Sequence, residues 1–300
     1  MSKILKWVGI VLGALIGLAV AAVLVMYFMA SARVNRTYDV QVQTIPIPSD
    51  QAAVARGQHI AESIALCSDC HGPNLGGREF INDPSIGLIY SANLTSGSGG
   101  AGASYSDEDW IRSLTHGVDP EGRMLMVMPS QNFRQMSDAD LGAVIAYAKS
   151  MAPVDGESPE PELSFMAHIL FTLGAFGDMA AERIDHQAPR PAAPAPGVTS
   201  EYGGYLVTVA DCRACHSDNL AGGQAAPSEP WAPNITPGGE LIGWSEADFI
   251  TLMREGVKPS GSSISTAMPY EGYSGMTDDE LKAIWVYLSG LEALAGNPAP

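Results

Sequence analysis

An uncharged apolar run from Trp7 to Ala30 opens the chain, preceded by Lys3 and Lys6 and followed by Arg33 and Arg36. A helix rises about 1.5 Å per residue, so this run is long enough to cross a bilayer core of roughly 30 Å. Trp7 and Tyr27 stand near its ends, where amphipathic rings favour the headgroup region. A cleaved secretory signal is the competing reading, and Ala30-Ser31-Ala32 resembles a cleavage site. A signal core is usually only about 7–15 residues, however. A transmembrane anchor over 1–32 and a polar lead-in over 33–49 are expected.

Further on, apolar positions recur at helical spacing, and they do so twice. Leu141, Val144, Ile145 and Ala148 form one such stripe, and Leu281, Ile284, Trp285 and Leu288 the other. Ser106, Ser137, Ser245 and Thr277 each stand three residues before an acid, the pattern of a helix start. A short helix is expected ahead of each cysteine stretch and a Gly-rich loop after it. No segment alternates convincingly with period two, so the expected class is all-α.

The order of these signals is duplicated. "YSDEDWIRSLTHGVDPEG" aligns with "WSEADFITLMREGVKPSG", and "SANLT" with "APNIT". From Trp110 onward the copies keep a shift of 139 or 140 residues. Two domains are expected, at 50–155 and 201–294. Between them lie an apolar stretch from Leu163 to Ile184, expected to form a helix packed on the protein or on a partner, and a Pro-rich linker from His186 to Ser200. The formal net charge of −17 repels phosphate backbones, which argues against nucleic acid as a partner.

All four cysteines lie in "CSDCHG" and "CRACHS", at matching places in the two copies. Residues three apart on a helix share a face, so Cys67 and Cys70, like Cys212 and Cys215, point their sulfurs the same way. That spacing suits thioether bonds to the two vinyl groups of a haem, with His71 or His216 placed to bind iron. A four-thiolate zinc site would have to join pairs more than 140 residues apart and would leave both histidines unexplained. A thioredoxin-like site needs a βαβ setting, and none is visible. Two covalently bound haem c groups are expected.

For the second axial position, Met128 and Met268 are the candidates. Each precedes a proline, which favours extended backbone and a sulfur held out from a stiff loop. Met136 and Met276 stand just before helix caps, where a hydrophobic staple is their expected role, and Met253 lies on a helix face. Met124 and Met126 rival Met128, as does His116, which has no counterpart in the second copy. His116 precedes Gly117 at a helix end, a place that suits a cation capping carbonyls. Asn93 and Asn234 either turn their loop or bond near a haem edge.

With Cys67, Cys70, His71 and Met128, and again Cys212, Cys215, His216 and Met268, the chain resembles class I-type cytochromes c. More narrowly, "YSANLT", "WSEADF", "REGVKPSG" and "AMPY" are similar to stretches in the multihaem cytochrome c subunits of periplasmic membrane-bound dehydrogenases that oxidise alcohols, aldoses or gluconate. Those subunits commonly carry three haem domains and, in many cases, a C-terminal anchor; here there are two and an N-terminal apolar run. A dihaem subunit of a respiratory or photosynthetic complex fits as well. The resemblance implies two tandem cytochrome c domains in the periplasm, tethered to the bacterial inner membrane. They would relay electrons between redox protein partners with no catalytic residue of their own. The rival class is a dihaem peroxidase-like enzyme, which requires an acid–base group that only His116 could provide.

Overall fold

The computed structural model describes residues 3–225 and 229–298. Helix α1 (Lys3–Val34) contains the whole N-terminal run, with a mean hydropathy of 2.8 over its most apolar window, and its side chains are exposed except toward the C-terminal end, where Ala30 is buried. It is a candidate membrane span. Residues 1–2 of the expected anchor lie outside the described residues.

The first copy comprises α2 (Gln51–Ser63), α3 (Cys67–His71), strands β1 (Arg78–Asp83) and β2 (Gly87–Ser91), α4 (Ala101–Ser104), α5 (Asp107–His116), α6 (Ser130–Phe133) and α7 (Asp138–Ser150). After it come β3 (Glu162–Leu163), α8 (Phe165–Thr172) and α9 (Ala180–Arg183). The second copy has α10 (Ser200–Val209), α11 (Cys212–His216), α12 (Glu246–Glu255), α13 (Tyr270–Tyr273) and α14 (Asp278–Ser289). The protein is mostly helical, and the helical elements of the two copies follow in the same order.

The predicted caps form as expected. Ser106, Ser245 and Thr277 each accept from the backbone N–H three residues on, and Asp109, Asp248 and Glu280 reach back to complete the box. Ser137 also caps, but Asp140 does not reach back. Its carboxylate accepts instead from Arg56 and Tyr205.

In each copy the first and last helices cross at a glycine. A Cβ on Gly57 would stand 1.9 Å from the Ala143 carbonyl oxygen, and one on Gly203 would stand 1.9 Å from that of Ala283. Any side chain would force these helices apart.

Two expectations are corrected. An antiparallel three-stranded sheet in the order β1-β2-β3 interrupts the all-helical picture. Its turn is built by Asp83, whose carboxylate accepts from the backbone of Ser85 and Ile86, and by Gly87 at φ +120°. Most of β1 is exposed, so no apolar alternation marks it. The stretch from Leu163 to Ile184 is not one helix. Gly174 and Gly177, at φ +77° and +62°, separate α8 from α9.

The two copies pack against each other. One apolar cluster runs through both, from Ile60, Ile64 and Leu141 to Leu206, Leu281 and Ile284. A polar seam with approximate two-fold character borders it. Arg56 and His59 on α2 donate to Glu280 on α14 at 3.0 and 2.7 Å, while Tyr205 on α10 donates to Asp140 on α7 at 2.6 Å.

Candidate haem sites

Both cysteine motifs fold as a single helical turn with the same backbone signature. Leu66 and Asp211 enter the turn in the left-handed region, at φ 47° and 54°, and Gly72 and Ser217 leave it at φ 78° and 65°. Left-handed backbone at a non-glycine residue costs about 1–2 kcal/mol, and its appearance at equivalent places marks a constrained loop. The turn puts Cys67 beside Cys70 and Cys212 beside Cys215, and all four thiols are unpaired. Burial, with the neighbouring Cys70, pushes the Cys67 thiol up to about 12; burial, with Asp211 nearby, does the same for Cys212. These thiols stay protonated at neutral pH, the opposite of what an exchange-active cysteine needs.

The histidines are oriented by backbone carbonyls. His71 Nδ1 lies 2.7 Å from the Ala92 carbonyl and His216 Nδ1 lies 2.7 Å from the Pro233 carbonyl. A carbonyl only accepts, so each Nδ1 carries the proton and each Nε2 keeps a free lone pair. Burial lowers the pKa of both imidazoles, which favours the neutral form that ligates metal.

Sequence reasoning missed Ala92 and Pro233, although the repeated asparagine pointed to them. Asn93 and Asn234 follow directly and are buried. Asn93 Oδ1 accepts from the Thr95 backbone and hydroxyl at 3.0 and 2.9 Å, and its amide donates to Val154 at 2.7 Å. Asn234 repeats this with Thr236 at 2.9 and 2.8 Å and with Leu294 at 2.8 Å. Each asparagine therefore turns the loop and ties it to the chain beyond the last helix, fixing the carbonyl that aims the histidine.

Met128 and Met268 sit directly ahead of α6 and α13, half-buried against the apolar cluster that also receives Cys67 and Cys212. The rivals lie elsewhere. Met124 and Met126 belong to a separate small cluster with Val40, Val118 and Ala181. Met136, Met253 and Met276 are buried core residues. The reading of His116 as a cationic cap is corrected. Gly117 ends the helix at φ +68°, but His116 Nδ1 lies 2.9 Å from His186 Nδ1. Burial and the nearby Arg134 push its pKa down to about 4, so it is neutral.

Paired thiols on one turn with a histidine presenting Nε2 form a donor set that fits the attachment of haem c, and the same arrangement recurs in the second copy. Among the described residues, Trp110 Nε1 is buried in the apolar cluster with no hydrogen-bond partner.

Comparison with known families gives the assignment. The family model described as cytochrome c oxidase, cbb3-type, subunit III matches residues 52–147 and again 203–288. The chain belongs to this family. Membership in the cbb3-type cytochrome c family implies covalently bound haem c and a part in electron transfer.

Over 280 residues it is 28% identical to the cytochrome c subunit of the quinone alcohol dehydrogenase of Gluconobacter oxydans, covering 82% of this chain and 56% of that protein. It is 27% identical over 273 residues to the gluconate 2-dehydrogenase cytochrome c subunit of Pantoea cypripedii, covering 82% and 61%. A nicotinate dehydrogenase component from Pseudomonas putida is 27% identical over 278 residues, covering 83% of this chain but 22% of that longer protein. The chain thus spans between about a fifth and three fifths of the length of these relatives.

Proposed function

We propose that the protein is a membrane-tethered dihaem c-type cytochrome that relays single electrons in the bacterial periplasm. Two tandem class I-type cytochrome c domains, at 50–155 and 201–294, each attach one haem, through Cys67 and Cys70 and through Cys212 and Cys215. His71 with Met128, and His216 with Met268, are the iron ligands. The observation that carries this reading is the repeated one-turn helix whose histidine is held at Nδ1 by a loop carbonyl. Bound haem supplies reversible one-electron chemistry, and a histidine–methionine ligand set raises the iron potential while leaving no open position.

The rest is the work of the chain. The Asn93 and Asn234 turns hold Ala92 and Pro233, which keep each imidazole in one tautomer and one orientation. Packing of the copies on one core keeps the two sites at a fixed separation, which suits transfer from one to the other. The relatives are named as cytochrome subunits of dehydrogenases, which favours a dehydrogenase subunit as donor and a membrane or soluble acceptor. The peroxidase-like alternative rested on His116, whose ring is engaged with His186.

The haem-loaded protein, denatured and examined by mass spectrometry, should retain two haems per chain. In a potentiometric titration, Met128→Leu and Met268→Leu should each move a different one of two one-electron waves to lower potential. A bare chain after denaturation overturns the dihaem reading, and waves unmoved by either substitution overturn the ligand assignment.

A further inference from the structure

The segment from Leu163 to Gly177 contains no charged residue, lies between Glu162 and Asp178, and has no counterpart in the second copy. Its helix α8 packs chiefly on α1. It contacts the C-terminal end of α1, where the rings of Phe165 and His168 each stack on Tyr27, at 5.6 and 4.5 Å. The Thr172 hydroxyl donates to the Met26 carbonyl at 2.7 Å. Ala167 and Phe171 are buried, but Phe165, Met166 and Leu173 are 54%, 50% and 66% exposed. On α1 at the same level, Phe28 and Met29 are exposed as well. The outer surface of this helix pair is thus apolar and continuous with the rest of α1.

Charge begins where the apolar surface stops. Arg33 donates to both carboxylate oxygens of Glu182, at 2.7 and 2.6 Å, and to the Gly177 carbonyl at 2.7 Å. The apolar run from Trp7 to Ala30 is roughly 36 Å long at the helical rise, against a hydrocarbon core of roughly 30 Å. The end that carries α8 therefore falls at the boundary between acyl chains and headgroups. An apolar helix face lying in that plane is stable at a depth of about 5–10 Å.

We propose that α8 and the chain to Gly177 form a second membrane contact, an interfacial helix embedded in the leaflet from which α1 emerges. It would fix the tilt of the haem-bearing body on the bilayer instead of leaving that body on a free tether. The Arg33–Glu182 clasp sets the water-side limit of the contact. This inference rests on the reading of α1 as a membrane anchor and adds a partner, the lipid interface, for a surface that reading leaves uncovered.

The test uses the full haem-loaded chain in phosphatidylethanolamine–phosphatidylglycerol vesicles, with an environment-sensitive fluorophore on Met166→Cys, Leu15→Cys or Ser260→Cys. All three sites are exposed, and retention of the haem absorbance shows that each variant folds. The expected result is blue-shifted emission at 166, quenched most by lipids with a nitroxide near the headgroup. The label at 15 should be quenched most by deep nitroxides, and the label at 260 by neither. An inserted 15 with a water-like or unquenched 166 overturns the interfacial helix and leaves the anchor standing. A water-like 15 overturns both.

Discussion

Glu280 collects three donors where the copies meet. Its Oε2 accepts from the Thr277 backbone at 2.8 Å and from His59 at 2.7 Å, and its Oε1 accepts from Arg56 at 3.0 Å. Burial alone would raise its pKa, but the hydrogen bonds from His59 and Thr277, joined by Arg56, outweigh burial and hold the carboxyl at about 2. The folded pKa thus lies below the ordinary value of 4.5, so the stabilisation is present above pH 4.5 and is lost as pH falls through 2. Its full size is on the order of 3 kcal/mol. Glu280→Gln should lower unfolding stability at pH 7 by about 1–3 kcal/mol, since Arg56 then loses a charged partner. Denaturant titrations of both proteins across pH 2–7 check this. Their stability curves should converge towards acid, and curves parallel throughout would show that this carboxylate does not carry the pH dependence.

At the scale of elements, the helix crossings at Gly57 and Gly203 determine how closely each copy closes. With a carbonyl 1.9 Å from where a Cβ would sit, Gly203→Ala must separate α10 from α14. Overpacking of this kind costs about 1–3 kcal/mol. Gly197→Ala, with its nearest neighbouring atom at 4.0 Å, should leave stability within about 0.5 kcal/mol of the parent. Equal effects of the two substitutions in denaturant unfolding would remove the glycine crossing from the account.

The helices were legible in the sequence because apolar spacing and capping chemistry are both local. Ser106, Ser137, Ser245 and Thr277 each cap the helix predicted to start there. The cysteine motifs were legible for the same reason, as five consecutive residues carry the chemistry. The β1–β2 hairpin was not, because its exposed strand has no apolar face and its shape depends on one aspartate and one glycine. The carbonyls that aim the histidines were hidden because a backbone oxygen leaves no trace in its own residue's identity, and the one signal was the asparagine repeated just after each. Nor could the sequence anticipate the seam, which joins residues as far apart as Arg56 and Glu280.

At the scale of the molecule, the Pro-rich segment reads from composition as a semi-rigid spacer, yet much of it is docked. Arg190 has a 6% exposed side chain and donates to Asp138 at 2.6 Å and to the Met136 carbonyl. His186 meets His116, and Arg134 donates to the carbonyls of Asp185 and Ala188. The segment therefore lies along the first copy, and the shared core with the Arg56–Asp140–Glu280 seam holds the second copy in place. A connection that only guides the chain across an existing interface can be cut without separating what it joins. A specific protease site inserted between Ala195 and Pro196, both exposed, provides the cut. After cleavage in detergent the two fragments should co-elute from size exclusion, and they should separate at lower denaturant when Asp140→Asn and Glu280→Gln remove both negative charges of the seam. Fragments of the otherwise unaltered chain that part on cleavage would mean that the covalent link alone holds the copies together, and that the distance between the two cysteine motifs is not fixed by packing.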